Sequence, residues 1–88
     1  MPTLSLFYGI VITMYREKGS RHHLPHFHAE YQGNEAAITF DGEILEGKLP
    51  NNKMKLVLAW AEINKEDLEA NWKLLEDGRG YFKINPLR

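Results

Sequence analysis

The stretch His26-Phe27-His28-Ala29-Glu30-Tyr31-Gln32-Gly33-Asn34-Glu35-Ala36-Ala37-Ile38-Thr39-Phe40-Asp41 decides the fold. Read as a hairpin with Gly33-Asn34 as its two-residue loop, glycine first as a type II′ turn prefers, it sets Tyr31 opposite Ala36, Ala29 opposite Ile38 and Phe27 opposite Phe40. Those three pairs make one apolar face. The other face carries His26 opposite Asp41, His28 opposite Thr39 and Glu30 opposite Ala37. A slip of one residue would bury the histidines and expose the phenylalanines, so the hydrophobic pattern fixes which face is which.

Upstream, residues Leu4 to Arg16 (LSLFYGIVITMYR) are β-branched and aromatic with no helical period. They read as one long strand, apolar on both faces and therefore central in its sheet. Gly9 inside it reads as a bulge or close backbone approach. Glu17 to Leu24, with Gly19 and Ser20, is a loop ending at Pro25. Downstream, Asp41-Gly42 signals a second turn and Glu43 to Gly47 a short strand.

From Asn51 or Asn52, either of which could cap a helix, the period changes. Leu56, Trp60 and Ile63, with Val57 and Ala61, form a stripe at helical spacing. Asn64 divides this helix from a second, with Glu66 and Asp67 in its first turn and Leu68, Trp72 and Leu75 on its apolar stripe. Gly78 suits the residue just past a helix end. Tyr81 to Ile84 could add a short strand.

The expected class is α+β: a small antiparallel sheet of three to four strands, followed by two helices packed on one face. One domain is expected over 1–88, with a β half over 1–50, a two-helix half over 51–78 and a C-terminal tail or short strand over 79–88.

Composition excludes several functions. The chain has no cysteine, so disulfides and thiolate metal sites are ruled out. Its net charge of −1 gives no global field for nucleic acid, although Arg16, Lys18 and Arg21 are a local basic group. The longest apolar run, Leu6 to Ile12, is too short to span a bilayer, and no basic leader precedes it. A cytoplasmic protein with no membrane partner is expected. Its small size and the doubly apolar strand favour a homodimer.

All four histidines, His22, His23, His26 and His28, fall within seven residues. Three readings follow. As metal ligands, His26 and His28 sit at i and i+2 on a strand, with Cα atoms about 6.5–7 Å apart on one face. Zinc or another divalent transition metal would take its further ligands from His23 or Asp41, since Glu30 lies about 13 Å from His26.

As catalysts, His26 and His28 would be base and acid, with Glu30 or Tyr31 nearby and Arg16 or Arg21 steadying a phosphate, the inventory of a small nuclease or phosphodiesterase. Only such a nuclease would give the chain a nucleic-acid partner. As a polar network, the rings would tie the loop to the sheet, His26 oriented by Asp41 and His28 by Thr39. The residue types favour this third reading. They also place Trp60 and Trp72 in the core, with no cofactor expected.

Taken together, Ser5-Leu6-Phe7-Tyr8-Gly9-Ile10-Val11-Ile12, Pro25-His26-Phe27-His28-Ala29-Glu30-Tyr31, Gly42-Glu43-Ile44-Leu45-Glu46-Gly47-Lys48-Leu49-Pro50, Leu56-Val57 with Trp60, Asn71-Trp72 and Ile84-Asn85-Pro86-Leu87 resemble the small bacterial domain-of-unknown-function family 4160. Family members usually carry two prolines where this chain has Leu24-Pro25. The resemblance implies a stand-alone bacterial protein, often encoded beside another small protein. It carries no established activity. The function expected is a protein-binding module acting with that neighbour, as in a toxin–antitoxin-like pair, the histidine-dependent nuclease and the metal-binding protein being the alternatives.

Overall fold

A computed structural model describes residues 2–15 and 24–88. Its order is β1 (Thr3–Phe7), β2 (Ile10–Thr13), β3 (His26–Tyr31), β4 (Asn34–Thr39), β5 (Ile44–Gly47), α1 (Asn51–Ile63) and α2 (Lys65–Glu76). The strands form one antiparallel sheet in sequence order, followed by the two helices, so the class is α+β. The sheet has five strands, not three or four.

The extra strand comes from the first segment, which folds back on itself where one long strand is expected. Tyr8 and Gly9 adopt φ of 49° and 78°. Two successive positive values make a type I′ turn, whose twist matches that of the flanking strands. Phe7 then faces Ile10, and Leu6 faces Val11. The turn is hidden in the sequence because its first residue is a tyrosine flanked by apolar side chains. Thus β1 lies at the sheet edge, and of the two strands made from this segment only β2 is internal. A bulge between Thr3 and Ser5 turns both Leu4 and Ser5 inward.

The central hairpin also turns through positive φ at two residues, 46° at Gln32 and 84° at Gly33. The loop is therefore Gln32-Gly33, a type I′ turn with glycine second, and Tyr31 pairs with Asn34. Moving the turn by one residue moves every partner by two. Phe27 pairs with Ile38 and Ala29 with Ala36, while His26 faces Thr39, His28 faces Ala37 and Glu30 faces Glu35. An even shift leaves each side chain on its expected face.

The apolar face carries Phe7, Ile10, Ile12, Phe27, Ala29, Ala36, Ile38 and Phe40. Helix α1 lays Met54, Val57, Trp60 and Ala61 on it, and α2 adds Leu68. The Trp60 ring sits 5.5 Å from Phe7 and 5.8 Å from Phe27, centroid to centroid. The α1 stripe is rotated from the expected one, so Ile63 is 70% exposed.

Pro50 precedes α1, its carbonyl accepting from the N–H groups of Lys53 and Met54, and neither Asn51 nor Asn52 acts as an N-cap. Asn64 separates the helices, but its side-chain amide donates backward to the Trp60 carbonyl instead of capping α2. Past α2, Gly78 with φ of 68° closes a Schellman arrangement, Arg79 N–H donating to Leu74 and Gly78 N–H to Leu75.

Residues 79–88 form no strand. They run extended along the core as a strap, with Ile84 buried and its N–H donating to the Leu4 carbonyl at 2.8 Å. Among the described residues, no helix is long and apolar enough to cross a membrane.

Candidate functional site: a paired histidine face

Alternation along β3 sends His26, His28 and Glu30 to the sheet face opposite the helices. On its neighbours, Thr13 stands beside His28 from β2, and Ala37 from β4. This face is expected to be polar and open. Its histidine end is instead closed: His26 is 2% exposed and His28 9%, with Ala37 and Thr39 buried alongside.

Among the described residues, aromatic rings pack against both imidazoles. Tyr15 stacks on His28 at 4.7 Å with planes 12° apart. The two imidazoles meet edge-on at 5.2 Å, and Trp72 of α2 reaches around to within 5.6 Å of His26. Trp72 also meets Phe40 at 6.2 Å, joining the histidine cluster to the main core.

Each imidazole is tied through Nδ1. His26 Nδ1 lies 2.7 Å from the Leu24 carbonyl, which can only accept, so that nitrogen carries the proton and donates. His28 Nδ1 lies 3.0 Å from the Glu35 carboxylate and donates to it. Holding one ring nitrogen on a carbonyl or carboxylate fixes the orientation of each ring. Both Nε2 atoms are shielded from solvent.

The expected site is thus brought together in part. His26 and His28 are adjacent, as their i, i+2 spacing requires. Glu30 lies on the same face but is exposed, directly across from Glu35. Asp41 is not the neighbour of His26. It lies past the end of β4 and accepts a hydrogen bond from Lys65 at the start of α2, an ion pair that raises the lysine ammonium above its usual 10.5. His28 is oriented by Glu35, not by Thr39, whose hydroxyl instead accepts from the Glu43 N–H. Arg16 and His23 lie outside the described residues. Among the described residues no group of three or more His, Asp or Glu side chains converges as a ligand set.

The sequence reading missed Glu35, Tyr15 and Trp72. Glu35 was legible in principle: with Gly33 second in a type I′ loop, it becomes the diagonal neighbour of His28. Tyr15 becomes visible only once β2 is paired with β3, and Trp72 only once α2 is docked.

The family described as Domain of unknown function (DUF4160) has a model that matches residues 9–73 of the 88. The chain belongs to this family. The DUF4160 span runs from the β1–β2 turn into α2 and contains His26, His28, Glu35 and Trp72. It leaves out β1 and the strap, although Ser5 to Tyr8 and Ile84 to Leu87 share in the resemblance. Comparison with curated proteins and with solved structures finds no match.

Proposed function

We propose that this DUF4160 chain is a protein-binding module whose histidines hold the fold and whose partner is a small protein encoded nearby, as in a toxin–antitoxin-like pair. The observation that carries this reading is the use made of the two imidazoles. Each spends Nδ1 on a different partner, one on backbone and one on a carboxylate, and each has its Nε2 shielded from solvent. A general acid or base needs hydrogen-bond reach to a substrate atom. Rings packed between Tyr15 and Trp72 are built to stay where they are.

Side chains suited to a partner lie elsewhere. Leu6 and Tyr8 project from the edge hairpin, Ile63 from the end of α1, and Tyr81 and Phe82 from the strap, all exposed. Large apolar and aromatic side chains at the surface are what protein interfaces draw on.

Co-expression with the product of the adjacent gene tests the reading. The two proteins are expected to co-purify through two chromatographic steps as a complex of fixed stoichiometry. Separation of the pair, together with RNA cleavage by the isolated chain that is lost in His26→Ala or His28→Ala, would replace binding with catalysis.

A further inference from the structure

The C-terminal strap lies in its groove as a bound peptide lies on a receptor. Its backbone is read by side chains of the helices, and no strand ladder holds it. Asn71 of α2, fully buried, donates its amide N–H to the Phe82 carbonyl at 3.0 Å and accepts from the Phe82 N–H at 2.8 Å. That bidentate clamp is what an adjacent strand would offer an extended chain. The Trp60 indole N–H donates to the Asn85 carbonyl at 2.9 Å, and the Leu4 carbonyl takes the Ile84 N–H at 2.8 Å. Ile84 is buried and Leu87 packs half-buried against the core, whereas Tyr81, Phe82 and Lys83 are exposed.

Open depressions flank the strap. One, of about 350 Å³, is lined by Thr3 to Leu6 and Lys83 to Pro86. Another, of about 510 Å³, lies between Ile63-Asn64 and residues 85–88. Ser5 lines the first of these, and its hydroxyl is buried with no hydrogen-bond partner. The strap leaves this polar group unused. Gly78 and Gly80, at φ of 68° and 92°, flank the point where the strap leaves α2, and both face open space. Trp60 and Asn71 lie inside the family span, whereas the strap lies outside it.

We infer that this groove is a peptide-recognition site, held in cis by the strap, and that it takes an extended segment of the partner protein carrying a β-branched aliphatic residue at the Ile84 position. The inference rests on the binding-module reading and names where that module would hold its partner. The segment displaces the strap, keeps the Asn71 clamp and the Trp60 hydrogen bond, and brings a polar group to Ser5. Occupation by the strap lowers the apparent affinity by the fraction of time the groove stands open.

The test uses the full-length isotope-labelled chain and, as probe, a synthetic peptide with the sequence of residues 79–88. Excess peptide is expected to shift the chain's own Phe82 and Ile84 amide signals to unfolded positions, while the Trp60 indole and Asn71 amide signals stay hydrogen-bonded. The peptide should bind an Ile84→Ala chain at least tenfold more tightly than the unaltered one, and a peptide carrying Lys at the Ile84 position should not bind. Absence of binding to both chains at about millimolar peptide would overturn the proposal, as would equal binding of the Lys peptide. Sedimentation showing dimers with exchanged straps would assign the groove to a second copy of this chain instead. None of this depends on finding the partner. A partner that binds while Phe82 and Ile84 stay in place refutes the groove and leaves the module standing.

Discussion

At the residue scale, His28 and Glu35 show how a charged pair is used across a sheet. Glu35 is about half exposed, whereas the imidazole it orients is nearly buried. Removing the ring therefore costs mainly packing, since the carboxylate returns to water. His28→Ala is expected to destabilise the fold by about 2 kcal/mol through lost stacking on Tyr15 and contact with His26. Glu35→Gln keeps an oxygen acceptor for Nδ1 and should cost under about 1 kcal/mol. Urea denaturation of the two variants checks the order. Equal losses would show that charge, not ring packing, is the larger contribution.

At the element scale, β5 is fitted to β4 by a glycine. Gly47 has φ of 78°, and a Cβ there would lie 2.0 Å from the Glu35 carbonyl oxygen. Gly78 has a similar φ of 68° but nothing within 4 Å of its would-be Cβ. The two positions separate steric clash from backbone strain. Gly78→Ala should cost about 1 kcal/mol, the strain alone, and Gly47→Ala about 3 kcal/mol or more, because the β4–β5 pairing must also open. Thermal melts of both variants measure the difference, and similar melting temperatures would refute the steric account.

The elements themselves were legible from residue types to different degrees. The helices could be read because Leu68, Trp72 and Leu75, or Val57, Trp60 and Ala61, recur at a period that only a helix turns to one side. β3 and β4 could be read because Phe27, Ala29, Ala36 and Ile38 alternate. The Tyr8-Gly9 turn escaped because neither of its residues interrupts the apolar run. The hairpin register was misjudged by two because glycine satisfies either central position of a tight turn, I′ or II′.

At the scale of the whole molecule, the helices, the edge strand and the strap are fastened together at Asn71 and Trp60. Among the described residues Asn71 is the most deeply buried polar one, and its amide oxygen and nitrogen both serve the strap backbone. Asn71→Ala should lower global stability by about 2–3 kcal/mol. Hydrogen exchange at Phe82 and Ile84 should quicken far more than at Phe27 or Ile38, because most strap side chains are exposed and no strand ladder holds it. Uniform acceleration across the sheet would show instead that strap and sheet open as one unit.

By itself, the sequence determined the α+β class, the central hairpin, the two helices and the face on which His26 and His28 stand. Each of these follows from periodicity, and periodicity is a property of consecutive residues. Only the tertiary structure decided that β1 folds back to make a fifth strand. It also decided that Glu35 rather than Thr39 or Asp41 orients a histidine, and that Asp41 turns away to Lys65. The shielding of both imidazoles and the threading of the strap beneath Asn71 belong to the same level. These features depend on which distant residues meet. Partners are fixed by turn geometry and by packing between layers, so a change of one residue in a turn exchanges every partner while leaving each face, and hence the pattern in the sequence, unchanged.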